Sequence, residues 1–384
     1  MLSKVSSFTK PFHSPFRNDI VGSFLRPARL KKARQQFAED QLTATGLKKV
    51  EDELIIDLIK KEEDVGLQAV TDGEFRRSWY HLDFFWGLQG IKKIQTAGWQ
   101  LHDGTRARGE GAELTGPLGG RNHPFIEHFE FMKDHISTGI EVKQTLPSPA
   151  LFLTQLEFPN VIDKTKQIYP TEDALIKAIA QAYDEVLADF YKHGAKIVQF
   201  DDSAWSNLIA AKIVDHHTNN YNEFTLSELN TLKQKLLKVN NLTIAGAPDG
   251  LIINAHICRG NYKSNWAYSG SYANIADPLF TQEKINAFYL EYDSEHDGGF
   301  DVLKKISTDK WVVLGLLTSK NGKLEEKEKI MQRIEDASHY FNLDHLCLSP
   351  QCGFASSEEG NILTEEQQWA KLRLIKSITA EIWG

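Results

Sequence analysis

The chain has 384 residues, 41% hydrophobic and 25% charged, with a formal net charge of -8. That is an ordinary globular composition with length for a large core, and its acidity, with no basic run, argues against nucleic acid as the main partner. No apolar stretch reaches the roughly eighteen residues of a transmembrane helix, and Met1–Asn18 lacks the apolar middle of a signal peptide, so no membrane partner is expected.

The predicted elements begin at Asp19–Phe24, a short strand ending at Gly22-Ser23. Arg26-Pro27 opens a helix to about Phe37. Gly46 to about Glu63 is a second helix, with Leu47, Val50, Leu54, Ile55 and Leu58 on one stripe. Gly66–Thr71 is the next strand and runs into Asp72-Gly73-Glu74. From Gly90 to Asp134 the rhythm breaks. Gly and polar residues dominate, with weak alternation around Ile91–Trp99 and Phe129–Phe131, so a β-hairpin or loop insertion is expected there. Gly139–Thr145 is a strand. Thr171–His193 is a helix with a Thr cap, an apolar stripe and Gly194 past its end. Lys196–Phe200 is a strand ending in Asp201-Asp202-Ser203, and a helical region with a loop follows to about Asn241. Leu251–Gly260 opens apolar and ends in His256, Cys258 and Gly260. Ala287–Leu290 leads to Glu291, and Trp311–Leu317 leads to Thr318-Ser319-Lys320. Leu324–Phe341 is a helix, His345–Leu348 a strand before Cys352-Gly353, and Thr364–Ile382 a helix with Gln367 at capping-box spacing.

Eight strands, most of them followed by helices or long connections, fit an α/β fold of the (β/α)8 TIM-barrel type. The expected organisation is one barrel domain over 1–384 with residues 90–134 inserted between strands two and three. Gly22-Ser23-Phe24-Leu25 is not a nucleotide-binding glycine turn, which argues against a doubly wound sheet.

In such a barrel the chemistry gathers at the C-terminal strand ends. Ser23, Glu74, Asp201, His256, Cys258, Glu291 and Cys352 all stand there. His256 and Cys258 share one strand face. With Glu291 and Cys352 they offer one imidazole, two thiolates and one carboxylate, a full tetrahedral zinc set. Three cysteines in so long a chain are no disulfide scaffold, and the expected setting is reducing and cytoplasmic. Cys347, in mid-strand, reads as a small hydrophobe. Taken singly, Glu74 and Asp201 also read as helix-capping carboxylates.

On these residues the sequence resembles the cobalamin-independent methionine synthases, in their catalytic barrel and its single-barrel relatives. The matching motifs are Val21-Gly-Ser23-Phe24, Asp72-Gly-Glu74, Gln199-Phe-Asp201-Asp202, His256-Ile-Cys258 with Asn261, Glu291, and Cys352-Gly353. The resemblance implies that His256, Cys258, Glu291 and Cys352 hold Zn2+, and that Val21, Ser23, Glu74 and Asp201 hold homocysteine, the two carboxylates taking its ammonium. It further implies transfer of a methyl group to the homocysteine thiol to give methionine, the donor being methyltetrahydrofolate or another. The family's Asp-Ile-His-Ser run after strand seven is replaced by Leu317-Thr318-Ser319-Lys320, so the donor and the general acid stay open, with His81 and His123 as candidates for the latter. Alternatives are a zinc alkyltransferase for another thiol, a zinc hydrolase, and a barrel with a structural zinc. Strand one lacks the His-x-His pair expected of the hydrolase, and carboxylates at the barrel mouth count against the purely structural site.

Overall fold

A computed structural model describes the chain except for residues 1–7, 12, 99, 100, 102, 103, 217, 219–222, 295 and 296. In chain order its strands are β1 (Ala69–Val70), β2 (Gln89–Gln95), β3 (Glu110–Gly119), β4 (Glu141–Pro147), β5 (Ile197–Asp202), β6 (Lys212–Ile213), β7 (Glu223–Phe224), β8 (Ile252–Ile257), β9 (Ala287–Glu291), β10 (Trp311–Leu317) and β11 (Leu346–Pro350). Seven of them form one parallel sheet in the order β1-β4-β5-β8-β9-β10-β11. β5, β9 and β11 are buried at every position. Strands covered on both faces read as continuous apolar runs, which is why the sequence located them.

The expected first strand does not form. Residues 17–24 lie between the two ends of the sheet but are joined to β11 by a single bridge, Asn18 to Leu348. The Asp19 amide donates to the Leu348 carbonyl (3.1 Å) and the Leu348 amide to the Arg17 carbonyl (3.0 Å). On the other side the Phe24 amide reaches the Gly73 carbonyl at 3.1 Å, beyond β1. The parallel sheet thus has seven strands, curled so that an irregular segment links its edges, where the sequence predicts eight strands.

Helices cover the sheet. Glu172–Lys192 is capped by the Thr171 hydroxyl, which accepts from the Ala174 amide, and buries Leu175, Ile176, Ile179, Tyr183, Leu187 and Phe190. Glu365–Ile382 carries the expected capping box between Thr364 and Gln367. Among the described residues no helix is long and apolar enough to cross a membrane.

The expected hairpin is the antiparallel pair β2 and β3; Trp99 lies outside the described residues. The alternation read at Phe129–Phe131 is instead part of a helix, Phe125–Lys133. Phe125, Ile126, Phe129 and Met132 are its buried residues. Their three- and four-residue spacing is a helix stripe that outweighs the local pattern.

Candidate active site

Parallel register aligns the C-terminal ends of the strands. Asp201 pairs with His256 across β5 and β8, and Gly315 of β10 pairs with Glu291 on one side and Ser349 on the other. His256 is the penultimate residue of β8, Cys258 follows that strand, Glu291 ends β9, and Cys352 lies two residues past β11. Their ligating atoms all lie within 4.8 Å of one another, and all four residues are buried. The two sulfurs are 3.9 Å apart. His256 Nε2 is 3.6 Å from Glu291 Oε1.

Neighbouring groups aim these side chains. His256 Nδ1 lies 3.3 Å from the Tyr289 carbonyl. A proton on Nδ1 directed there leaves the Nε2 lone pair free, and among the described residues the buried Nε2 has no hydrogen-bond partner. Glu291 accepts from the Arg259 amide through Oε1 (2.8 Å) and from Gln351 Nε2 through Oε2 (2.6 Å). The Gly260 amide donates to Cys258 Sγ at 3.3 Å. Asn261 Nδ2 donates to the Gly353 carbonyl (2.7 Å), tying the loop of Cys258 to that of Cys352.

The electrostatics suit a cation. Burial pulls the His256 imidazole down, but Cys352, Asp201 and Glu291 outweigh it and push it up to about 9. A hydrogen bond from Cys258 holds Cys352 well below the ordinary thiol range, against burial, with His256 adding to the pull. The same bond, followed by burial, raises Cys258. Burial raises Glu291 to about 7, with Lys320 opposing. Two sulfurs and a carboxylate around an orphaned imidazole nitrogen create a negative field that favours positive charge. Soft sulfur and nitrogen donors with one carboxylate are the chemistry that zinc takes.

Of the other predicted residues, Ser23 and Asp201 adjoin this cluster. Ser23 lies beside the loop of Cys352. Its Oγ accepts from the Ala355 amide at 3.2 Å, and a Cβ on Gly353 would come within 2.0 Å of that oxygen, so only glycine permits the approach. Glu74 has φ 60°, an uncommon conformation for a residue with a side chain, fixed by its amide donating to Asp72 Oδ1 (2.8 Å). Glu74 Oε1 accepts from the Thr145 hydroxyl (2.9 Å) and meets Arg77 at 3.3 Å, while the buried Oε2 has no partner among the described residues. Asp201 Oδ1 is likewise buried and unpartnered. Burial pushes both carboxyls up; for Asp201, Cys352, Glu74 and Glu291 add to the rise and His256 opposes it. Val21 is buried in the irregular segment.

Burial disfavours the imidazolium form of both candidate histidines. Burial lowers His81 to about 3 and His123 to about 4. His123 Nε2 lies 2.9 Å from the Phe84 carbonyl and Nδ1 accepts from the Phe125 amide, which makes it a core residue. A cavity of about 590 Å3 opens at Glu291, lined among others by Arg259, Trp266, Tyr268, Asp293 and Lys320. Lys320 Nζ lies 4.0 Å from Glu291 and 3.9 Å from Asp293. Burial opposes its charge, but these carboxylates prevail and hold its ammonium above the usual lysine range.

Two neighbours of the site escaped sequence reading, and a third was named without its partners. Gln351 is next to Cys352 yet acts on Glu291. Lys320 follows β10, where strand-end position marked it but nothing named its partners. The Tyr80 hydroxyl lies 2.8 Å from Ser203 Oγ; burial, with Asp201, Cys258 and Cys352, raises its pKa. No local pattern marks Tyr80.

The fold and cluster define an α/β protein with a sulfur-rich, cation-seeking centre on the C-terminal edge of a curled parallel sheet. The chain belongs to the cobalamin-independent methionine synthase family. The model of that family's catalytic domain, "Cobalamin-independent synthase, Catalytic domain", matches residues 169–367. The chain is 40% identical to the uncharacterized protein YxjH of Bacillus subtilis, over 96% of this chain and 95% of that one. It is 22% identical to a methionine synthase of Pyrococcus furiosus, over 87% and 85% of the two chains. Among solved structures, a Listeria monocytogenes protein assigned to the vitamin-B12-independent methionine synthases superposes with a TM-score of 0.73 at 33% identity, covering 96% of this chain and 98% of that one. A B12-independent methionine synthase from Shewanella, in complex with selenomethionine, shares the fold with a TM-score of 0.67 at 17% identity, covering 95% and 97%.

Proposed function

We propose that the chain is a zinc-dependent methyltransferase that moves a methyl group onto the thiol of homocysteine, forming methionine. One observation carries this reading. A four-donor cluster within 4.8 Å stands on the same strand edge as Glu74 and Asp201, each with a buried oxygen lacking a partner among the described residues.

His256, Cys258, Glu291 and Cys352 would hold the zinc. When bound, the ion supplies Lewis acidity that lowers the pKa of a thiol. Glu74 and Asp201 take the substrate ammonium. Both are destabilised as anions by burial, Glu74 even beside Arg77, and an entering ammonium adds countercharge and fills the oxygens that lack a partner among the described residues. Ser23 and the backbone at Val21 face the substrate carboxylate. This places the thiol toward the cluster and leaves the cavity beside Glu291 for the methyl donor.

Lys320 favours a second reading of the donor. It presents an ammonium in the run after β10, next to Ser319, which stands where the family pattern has a histidine. A donor other than methyltetrahydrofolate, one that does not need proton transfer from an imidazole, fits that replacement.

The test mixes zinc-loaded protein with homocysteine and, in parallel, methyltetrahydrofolate as mono- and polyglutamate, methylcobalamin and S-methyl donors. Methionine formed from one of them is the expected result. No methionine from any donor, together with no homocysteine binding, would overturn the reading.

A further inference from the structure

We propose that Lys143, Gln199 and Thr71 form a side-chain strap that positions Val21–Ser23 to receive the carboxylate of the amino-acid substrate. This rests on the homocysteine reading and adds positioning residues to it.

Three consecutive carbonyls of the irregular segment are taken by side chains from elsewhere in the sheet. Lys143 Nζ of β4 donates to the Ile20 carbonyl at 2.7 Å. Gln199 Nε2 of β5 donates to the Val21 carbonyl at 2.5 Å. The Thr71 hydroxyl, just past β1, donates to the Gly22 carbonyl at 2.6 Å. A sheet strand satisfies its carbonyls through neighbouring backbones. Here side chains replace the ladder, which explains why these residues do not pair as a strand and yet hold a fixed course.

Lys143 is the anchor of the strap. It is buried and forms an ion pair with Asp19. It also donates to the Tyr289 hydroxyl at 3.1 Å. Asp19 in turn accepts from the Phe16 amide (2.8 Å), its neighbour's Ile20 amide (2.8 Å) and the Tyr289 hydroxyl (3.0 Å). A charge buried at this depth persists only when so fully partnered. Gly22 then lets the chain pass against β4: its φ is +152°, and a Cβ there would meet Thr145 Cγ2 at 2.5 Å.

The strap determines what the segment offers. Among the described residues the amides of Val21 and Ser23 donate to no acceptor. Free backbone N–H groups beside a hydroxyl suit a carboxylate. The Ser23 hydroxyl adjoins Gly353, one residue from Cys352, so the strap fixes the distance between the carboxylate end of the substrate and the thiol-directing cluster.

Two strap variants of the zinc-loaded full chain test this, Gln199→Leu and the charge-neutral double variant Lys143→Met/Asp19→Asn. Ile334→Ala, a core truncation in the helix Lys327–Ser338, controls for stability loss. Each strap variant should keep its zinc and weaken homocysteine binding by roughly tenfold, the loss expected of one misplaced charge-assisted contact. KM should rise while kcat changes little. Hydrogen exchange at the amides of Phe24 and Leu25 should speed up by roughly tenfold, as a loosened segment predicts. Ile334→Ala should change neither readout. Unchanged exchange in both strap variants, or affinity lost equally in Ile334→Ala, overturns the strap. Absence of homocysteine binding in the unmodified protein overturns the homocysteine reading alone, because hydrogen exchange still decides whether the strap exists.

Discussion

At the scale of single residues, the donors and the group that aims one of them make different demands. Cys352→Ser or His256→Ala removes a strong donor from a buried set of four, so bound zinc should fall well below one per chain by elemental analysis after dialysis. Full occupancy in both variants would exclude this donor set. Gln351→Ala keeps every donor but removes the 2.6 Å hydrogen bond that orients Glu291. Loss of such a supporting contact typically weakens metal affinity by about 10- to 100-fold. Competition against a chromophoric chelator should show that drop, with stoichiometry retained at saturating zinc.

At the scale of elements, β3 buries Ala112 and Leu114 in the core, and Arg108, in the connection between β2 and β3, ties the hairpin to the rest of the chain. Arg108 bonds Glu358 at 2.7 Å and the Ser78 carbonyl at 3.1 Å, and lies over Trp79 at 4.7 Å. Arg108→Ala should leave zinc binding in place, cost on the order of 1 kcal/mol, and open the hairpin to limited proteolysis. An unchanged cleavage pattern would show that the hairpin docks by other means. The elements also show what the sequence could disclose. Seven parallel strands were legible because burial on both faces leaves apolar runs. His256, Cys258, Glu291 and Cys352 were legible because barrels concentrate chemistry at strand ends. The segment after Asp19 looked like a strand because its residues suit one. Its real partners, Lys143, Gln199 and Thr71, lie 123, 178 and 49 positions away, and no local pattern records such contacts. The grip of Gln351 on Glu291 was hidden for the same reason.

At the scale of the whole molecule, buried acids make stability depend on pH. Glu283, held by Asn240 at 2.7 Å, is pushed up to about 8, mainly by burial, with Asp202 adding to the rise. Between the ordinary glutamate value and about 8, the folded protein keeps this proton and the unfolded chain releases it. The contribution of this group is therefore complete below the ordinary value and is lost as pH rises through about 8. Glu283→Gln is neutral at every pH, so its Tm should fall less than that of the unmodified protein between about pH 5.5 and about pH 8.5. Parallel curves would place the Glu283 value elsewhere. The segment that links Leu348 to Gly73 has a consequence for the order of manufacture. A ribosome delivers residues 17–24 early, and their partner strand β11 near the end. Cys352 follows β11 in that sequence. Until then the early segment lacks the edge of β11 and the four-donor cluster lacks its last sulfur, so closure of the wall and completion of the donor set coincide, late in the life of the nascent chain.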